Sequence, residues 1–514
     1  MFLNTVLAVA LLLIATVDSK IVQYPRPSIY EKSAHFGLEV DGTDMYTVSY
    51  AGYDYVQLSM NEGSPTEFRI RTLDKKPITS YTITPQKLPI VAQVEGNELV
   101  FSVTKAHYLI VKINDKKQFV ILADPSETDA PKSSGKGIYN VLEYGADKTG
   151  GSVTTGIQKA MDAAAKSPGS IVYVPPGLYT IGNLLLRDRT SLYLAGGSTL
   201  RFTGNPSDYK TLFTKSDLYP GTWWIQTEFD STNVKVYGRG TIDGNGYNTR
   251  KKKFMADLLV PVGTKNFTCD GVLVRDSSFW AVPIIQAEEV TITNIKILNR
   301  FDVTQDDGID VVESRKVRVK RAIAIGKDDS FSTKTWPYKT GTTVPYPNPP
   351  QPLSDAFFDD CLSWTDCYGY KVGQGVWEDQ DTVTFQNSVV YTAAVGIGID
   401  HKFGTATASH ITFKDMDIER LHGNAHGQAS WLTIFVEEVG SGAGPVKNVY
   451  VKNIKARAKG SRGGFIQGYS SSAMVSGVTF MNVLMGTSDK PAETLKEMNM
   501  LETKYSENIN FVKP

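Results

Sequence analysis

Val290-Thr291-Ile292-Thr293-Asn294-Ile295-Lys296-Ile297 is the stretch that decides the fold, because the chain repeats it. It returns as Val317-Arg318-Val319-Lys320-Arg321-Ala322-Ile323-Ala324-Ile325 and as Val383-Thr384-Phe385-Gln386-Asn387-Ser388-Val389-Val390. Further copies start at Ile411, Val449 and Val478, and an earlier one runs from Val234 to Ile242. Most starts lie roughly 27 to 38 residues apart, and two gaps are about twice that. Such a period suits one coil of a parallel β-helix whose loops vary in length. Within a coil two short strands meet at an Asn or Gly, so side chains of both can face inward. Successive rungs then pair at about 4.8 Å and stack their apolar residues into one continuous core.

Working outward from the repeat, the chain divides. Thr154 to Lys166 reads as a helix, with Ile157 and Met161 at helical spacing. Before it, Asp124 to Gly137 has the composition of a linker. Earlier still, Tyr46–Tyr50, Phe68–Arg71, Leu99–Val103 and Tyr108–Ile113 alternate or are β-branched, as short strands of a sandwich would be. The apolar run from Val6 to Val17 at the extreme N-terminus is short for a bilayer and ends in small residues near Ser19. The expected organisation is a signal peptide at 1–19, a β-sandwich at 20–125, a linker at 126–137 and a right-handed parallel β-helix at 138–514. The fold class is all-β. The mature protein is expected to be secreted, to bind no membrane and, with nothing requiring an oligomer, to be a monomer.

Lys+Arg and Asp+Glu both number 54 among 514 residues, so the formal net charge is zero. Nucleic acid is a poor partner for such a chain; a sugar polymer is not. Three cysteines are few for a secreted protein. Cys361 and Cys367 could pair across a short loop, leaving Cys269 free and buried. No Cys/His cluster has metal-ligand spacing, and Asn266-Phe267-Thr268 is an N-glycosylation sequon.

Two acidic motifs stand out, Asp306-Asp307-Gly308-Ile309-Asp310 and Lys327-Asp328-Asp329-Ser330. Asp307 precedes Asp328 by 21 residues and Asp329 by 22, about one coil. In a β-helix that interval makes them stacked neighbours. Carboxylates so gathered raise one another's pKa and add little to folding. Glycoside cleavage needs such a group: one carboxylic acid protonates the leaving oxygen while another carboxylate activates water. Solvated turn aspartates and a calcium site are the competing readings of the spacing alone.

With these motifs in view the chain resembles glycoside hydrolase family 28, the polygalacturonases, from about Tyr139 to beyond Ile418. Tyr139–Ala146, Val172–Tyr179, Gly240–Gly246 and Val274–Trp280 are similar to its β-helix entry motifs. Its Asn-Thr-Asp-Gly and later Asp-Asp are matched by Gln305-Asp306-Asp307-Gly308 and Asp328-Asp329. The resemblance implies that Asp328 is the general acid and that Asp307 and Asp329 position and deprotonate water. It also implies inversion and no cofactor or metal. Two family motifs are altered. Tyr368 stands where a His is expected, within Cys367–Gly373. The family's Arg-Ile-Lys aligns with Gly398-Ile399-Asp400, followed by His401 and Lys402. An arginine fork matched to a carboxylate is not replaced by glycine without changing the ligand. Recognition is therefore expected to have moved, with Lys371, Tyr368, Asp400, His401, Lys402 and Trp336 as candidate substrate-binding residues. Trp364, Tyr370 and Trp377 are further aromatics that could wall a cleft, and Pro337 to Pro352 reads as a loop overhanging it. An N-terminal sandwich before a β-helix is also similar to the layout of family 49 dextranases, which makes a neutral α-glucan the alternative substrate. A β-helix lyase and a non-catalytic carbohydrate-binding protein are the other classes considered.

Overall fold

A computed structural model describes residues 21–215, 218–423 and 429–513. The expected signal peptide at 1–19 and His426, weighed with His422 as an extension of the site, lie outside the described residues. No helix among the described residues is long and apolar enough to cross a membrane.

The repeat is a β-helix in register. Val290 pairs with Val317, Val317 with Ala356, Ala356 with Val383, Val383 with Ile411, Ile411 with Val449 and Val449 with Val478, all in parallel. The two long gaps hold coils whose lettering differs. One starts at Phe267, which pairs with Val290, and the other is Ala356 to Asp359. Inside, Phe358, Phe385 and Phe413 stack with ring centroids 4.8 and 5.5 Å apart. The bend between the paired strands is made by one left-handed residue per coil: Asn294, Arg321, Asp360, Asn387, Asp415, Asn453 and Asn482, with φ from 48° to 55°. Asn and Asp tolerate that conformation better than other residues with a Cβ, which is why they recur in the repeat.

The short helix Gly156–Ala164 lies at the first coils, and Ile157, Ala160, Met161 and Ala164 are buried in the same core. Residues 21–125 form two sheets of mainly antiparallel strands packed face to face around Phe36, Leu58, Phe68, Leu99 and Phe119. Tyr46–Tyr50 is not one strand. It breaks at Tyr46-Thr47 between Thr43–Met45 and Val48–Ser49, where Thr47 donates its hydroxyl to the Phe36 carbonyl.

The sandwich packs on the side of the β-helix. Tyr30, Tyr50, Tyr53 and Tyr108 meet Leu298, Ile325, Leu362 and Trp364 in one buried cluster. The Arg275 guanidinium sits 4.2 Å from the ring centroids of both Tyr30 and Tyr50. Lys296 and Asp124 form an ion pair at 2.5 Å with both side chains fully buried. Among the described residues all three cysteines are free, so the pairing of Cys361 with Cys367 is not formed. Cys361 points into the interior stack, whereas Cys367 sits in the turn between two strands, facing Asp329.

Candidate active site

The site is carried by one sheet of seven parallel strands. They include Val282–Ile285, Ile309–Val312, Phe331–Thr335, Tyr368–Val376 and Val395–Phe403. Side chains alternate inward and outward along each strand. Parallel register therefore lines up an outer column of Asp310, Ser332, Lys371 and Gly398. Asp307 and Asp328-Asp329 occupy the turns just before two of these strands. The Gly308 N–H donates to the Asp329 carbonyl at 2.8 Å, so the turns are stacked one above the other. Glycine is required at 308, since a Cβ there would meet the Ser330 carbonyl oxygen at 2.3 Å.

Each carboxylate has a different environment. Asp307 is buried and ion-paired with Lys334, whose ammonium also lies 2.9 Å from Asp310. Asp329 is buried against Lys371; it also accepts from the Tyr368 N–H at 3.3 Å. Burial alone would raise the Asp329 carboxyl. Lys371 and Lys334, with a hydrogen bond from the Cys367 thiol, outweigh it and hold Asp329 below the ordinary value. Asp328 is half-buried with no lysine in contact among the described residues, and its carboxylate accepts the N–H groups of Gln305 at 3.2 Å and Asp329 at 3.0 Å. Burial, then the charges of Asp307 and Asp329, push it up to about 6 against the pull of Lys371 and Lys334. Asp306 braces this arrangement. Its buried carboxylate accepts the N–H groups of Lys327 and Asp328, each at 3.0 Å, and fixes the turn that carries the pair.

Donor atoms of Asp328, Asp329 and Cys367 lie within 4.8 Å of one another, close enough for a small cation. Lys371 already neutralises Asp329, and burial and both aspartates push the Cys367 thiol well above its ordinary value. A thiol must lose its proton to bind metal, so this donor set fits a cation poorly.

The candidate binding residues are divided. Lys371 is committed to Asp329. Asp400 sits on the outer face beside Lys371, raised to about 6 by burial, and its Oδ1 has no hydrogen-bond partner. Tyr368 is buried with its hydroxyl 3.3 Å from Thr433 Oγ1. At Gly398 a Cβ would meet the Tyr368 ring at 2.9 Å and Thr433 Oγ1 at 2.7 Å. The place where the resemblance puts an arginine is thus filled by the tyrosine that replaces the histidine. Lys402 lies loosely between Asp400 and Glu437, 3.8 Å from each. His401 does not reach the cleft: one position along from outward Asp400, it is fully buried, with Nε2 2.9 Å from the Ala406 carbonyl. His422 is held by Asp366 at 3.0 Å.

Trp336 and Trp377 line a cleft of about 360 Å³ together with Lys215, Thr340, Gln374 and Phe403. Trp364 and Tyr370 do not; Trp364 packs on the sandwich and Tyr370 in the interior stack. A larger hollow of about 590 Å³ lies around Asp230, Thr264 and Arg315; none of the three carboxylates lines either space, but Lys215 in the smaller one feels the charges of Asp307 and Asp328. The proline-rich segment folds back over the cleft wall, with Tyr346 buried beside Trp223. Buried Glu313 holds both its ends, accepting the Trp336 N–H and the Gln351 N–H at 3.2 Å each. Gln286 joins them, donating to Glu313 at 2.8 Å and to the Pro349 carbonyl at 2.9 Å. Sequence reasoning missed Lys215, Lys334 and Glu313. Outward parity on the strand after Asp329 was a usable signal for Lys334.

Comparison with known proteins bears on the family resemblance and the fold. The family model described as "Glycosyl hydrolases family 28" matches residues 172–339, which include all three aspartates. An exo-poly-alpha-D-galacturonosidase of Dickeya chrysanthemi is 23% identical over 252 residues, covering 38% of this chain. The chain spans only 41% of the length of that relative. Among solved structures, a hyperthermoactive exopolygalacturonase of Thermotoga maritima is similar with a TM-score of 0.56 and 17% identity, over 73% of this chain and 91% of its own. Dex49A from Penicillium minioluteum is similar with a TM-score of 0.58 and 13% identity, over 96% and 98%. The resemblance to family 28 thus holds in sequence and in fold. The sandwich-plus-β-helix layout extends to Dex49A.

Proposed function

We propose that this chain is a glycoside hydrolase of polygalacturonase type that cleaves a polysaccharide with inversion, using Asp328, Asp329 and Asp307. The observation that carries the reading is the separation of two adjacent carboxyls: Asp328 raised to about 6, Asp329 lowered by Lys371 and Lys334. Pairs of titratable groups pushed apart by their surroundings mark the acid and the base of a catalytic site. A cluster serving only to fold would gain nothing from it.

In this reaction protonated Asp328 donates to the glycosidic oxygen as the C1–O bond breaks, and the bonding pair stays with the leaving sugar. Water attacks C1 from the opposite face, and its proton passes to Asp329, with Asp307 orienting it. Lys371 and Lys334 keep Asp329 ionised, and Lys334 holds Asp307 in place; general acid–base help of this kind is worth about 10²–10⁴-fold. Recognition has shifted, since Tyr368 occupies the space over Gly398. Asp400 Oδ1 has no hydrogen-bond partner among the described residues but is buried, so the fold does not present it to the sugar as an acceptor. The galacturonide relatives make polygalacturonate the first substrate to try and the likeness to Dex49A makes dextran the second. Proton NMR of the first product tests the stereochemistry: an α-linked substrate should give the β-anomer first. An α-anomer appearing first would mean retention and refute this use of the three aspartates. We also propose that the protein is exported after removal of 1–19 and acts as a monomer; N-terminal sequencing and light scattering of the secreted material test both.

A further inference from the structure

Three lysines surround the carboxylates, and two of them are committed. Lys334 is bound to Asp307 and Asp310, and Lys371 to Asp329. The third, Lys215, ends the strand Phe213–Lys215 and comes from outside the acidic motifs. Among the described residues no carboxylate lies within 4.0 Å of its ammonium. Its nearest walls are aromatic: the Phe279 ring centroid is 4.9 Å away and that of Trp280 5.2 Å. Asp257, also buried close by, gives little counter-charge, because burial and Asp310 push its carboxyl well above the ordinary range. Lys215 lines the cleft of about 360 Å³ with Trp336, Gln374 and Trp377.

A partly buried ammonium that touches no carboxylate, feeling Asp307, Asp328 and Asp310 only at longer range and repelled by Lys334, costs free energy, which an incoming anion would offset. Faces of Trp336 and Trp377 in the same cleft suit the apolar side of a sugar ring. We propose that Lys215 is the specificity-determining cation of this cleft and binds the carboxylate of a uronic acid residue in the subsite beside the cleavage point. It takes over the work for which Gly398 has no side chain. The inference rests on the glycosidase reading for the meaning of "cleavage point", but its test does not require cleavage.

The experiment uses full-length Asp328→Asn protein and calorimetric titration with trigalacturonate and with its carboxyl-reduced, neutral counterpart. The acid trimer should bind roughly 10- to 100-fold tighter than the neutral one. Adding Lys215→Met should remove most of that preference by weakening the acid trimer alone, while Lys215→Arg retains it. If Lys215→Met fails to fold, Lys215→Gln replaces it. Equal binding of the two trimers by the Asp328→Asn protein overturns the proposal without any further variant, as does a preference that survives at Lys215→Met. Failure of the hydrolase reading would show elsewhere, as wild-type protein that cleaves no polymer.

Discussion

Replacing Lys371 by Met removes a charge while keeping the length of the side chain. The Lys371–Asp329 pair is buried, with both side chains 3% exposed. An opposite charge in contact lowers a carboxyl, and losing it leaves burial as the dominant influence on Asp329. Asp329 should therefore move up, toward the raised range that Asp328 occupies at about 6. In the wild type, kcat/KM should fall tenfold per pH unit above about 6, as Asp328 loses the proton it must donate. It should stay level on the acid side down to the low pKa of Asp329. In Lys371→Met both limbs move upward, the acid limb further, because Lys371 is the largest charge acting on Asp329 and a lesser one on Asp328, so the two limbs approach each other. The optimum narrows and its height falls. Breaking a buried pair from one side also costs about 3–5 kcal/mol of stability. The sign is fixed by the lowered Asp329: its contribution is present above the unfolded carboxyl pKa and lost as pH falls through the folded one. The variant should thus lose most stability at neutral pH and little in acid. A pH profile of kcat/KM with a melting curve at each pH checks both. An acid limb that stays where it is in the folded variant would refute the charge argument.

Glu313→Gln should loosen the proline-rich segment, because an amide can accept at only one of the two positions where Trp336 and Gln351 donate; KM should rise several-fold with kcat nearly unchanged. A fall in kcat alone would place Glu313 in the chemistry. Lys296→Met leaves Asp124 buried without its nearest partner and should cost about 3–5 kcal/mol; a melting temperature equal to wild type would mean that Arg239 suffices for Asp124. Alkylation after unfolding without reductant should label Cys269, Cys361 and Cys367; labelling of one alone would reveal a disulfide.

The coil was legible in the sequence because parallel stacking repeats one physical demand, apolar in and bend at Asn, at every turn of the helix. Where a coil met that demand with Phe267 and Gly271, or with Ala356 and Asp360, the same geometry was written in different letters. The carboxylates were legible because the interval from Asp307 to Asp328-Asp329 is one coil long. Their supporting lysines were not, since Lys334 differs from Lys320 or Lys327 only by its parity. Lys215 arrives from a strand about 90 residues before Asp307 with no spacing to betray it. The letters at Tyr368 and Gly398 could be flagged as departures, but only packing shows that one fills the space of the other. His401 was misplaced by one residue of strand alternation, which turns a side chain from cleft to core. The Cys361–Cys367 pairing looked feasible from loop length alone, which says nothing of which way each thiol faces.

The measurement that bears most directly on the central claim is reducing-sugar release from polygalacturonate and dextran by the wild type and by Asp328→Asn. Release from one of them should fall about 10²–10⁴-fold in the variant. Unchanged release by Asp328→Asn would contradict the assignment of Asp328 as the acid. A product absorbing in the ultraviolet through a new double bond would contradict hydrolysis itself, since elimination takes a proton from the carbon beside the uronic carboxyl and breaks the bond to O4 with no water attacking C1.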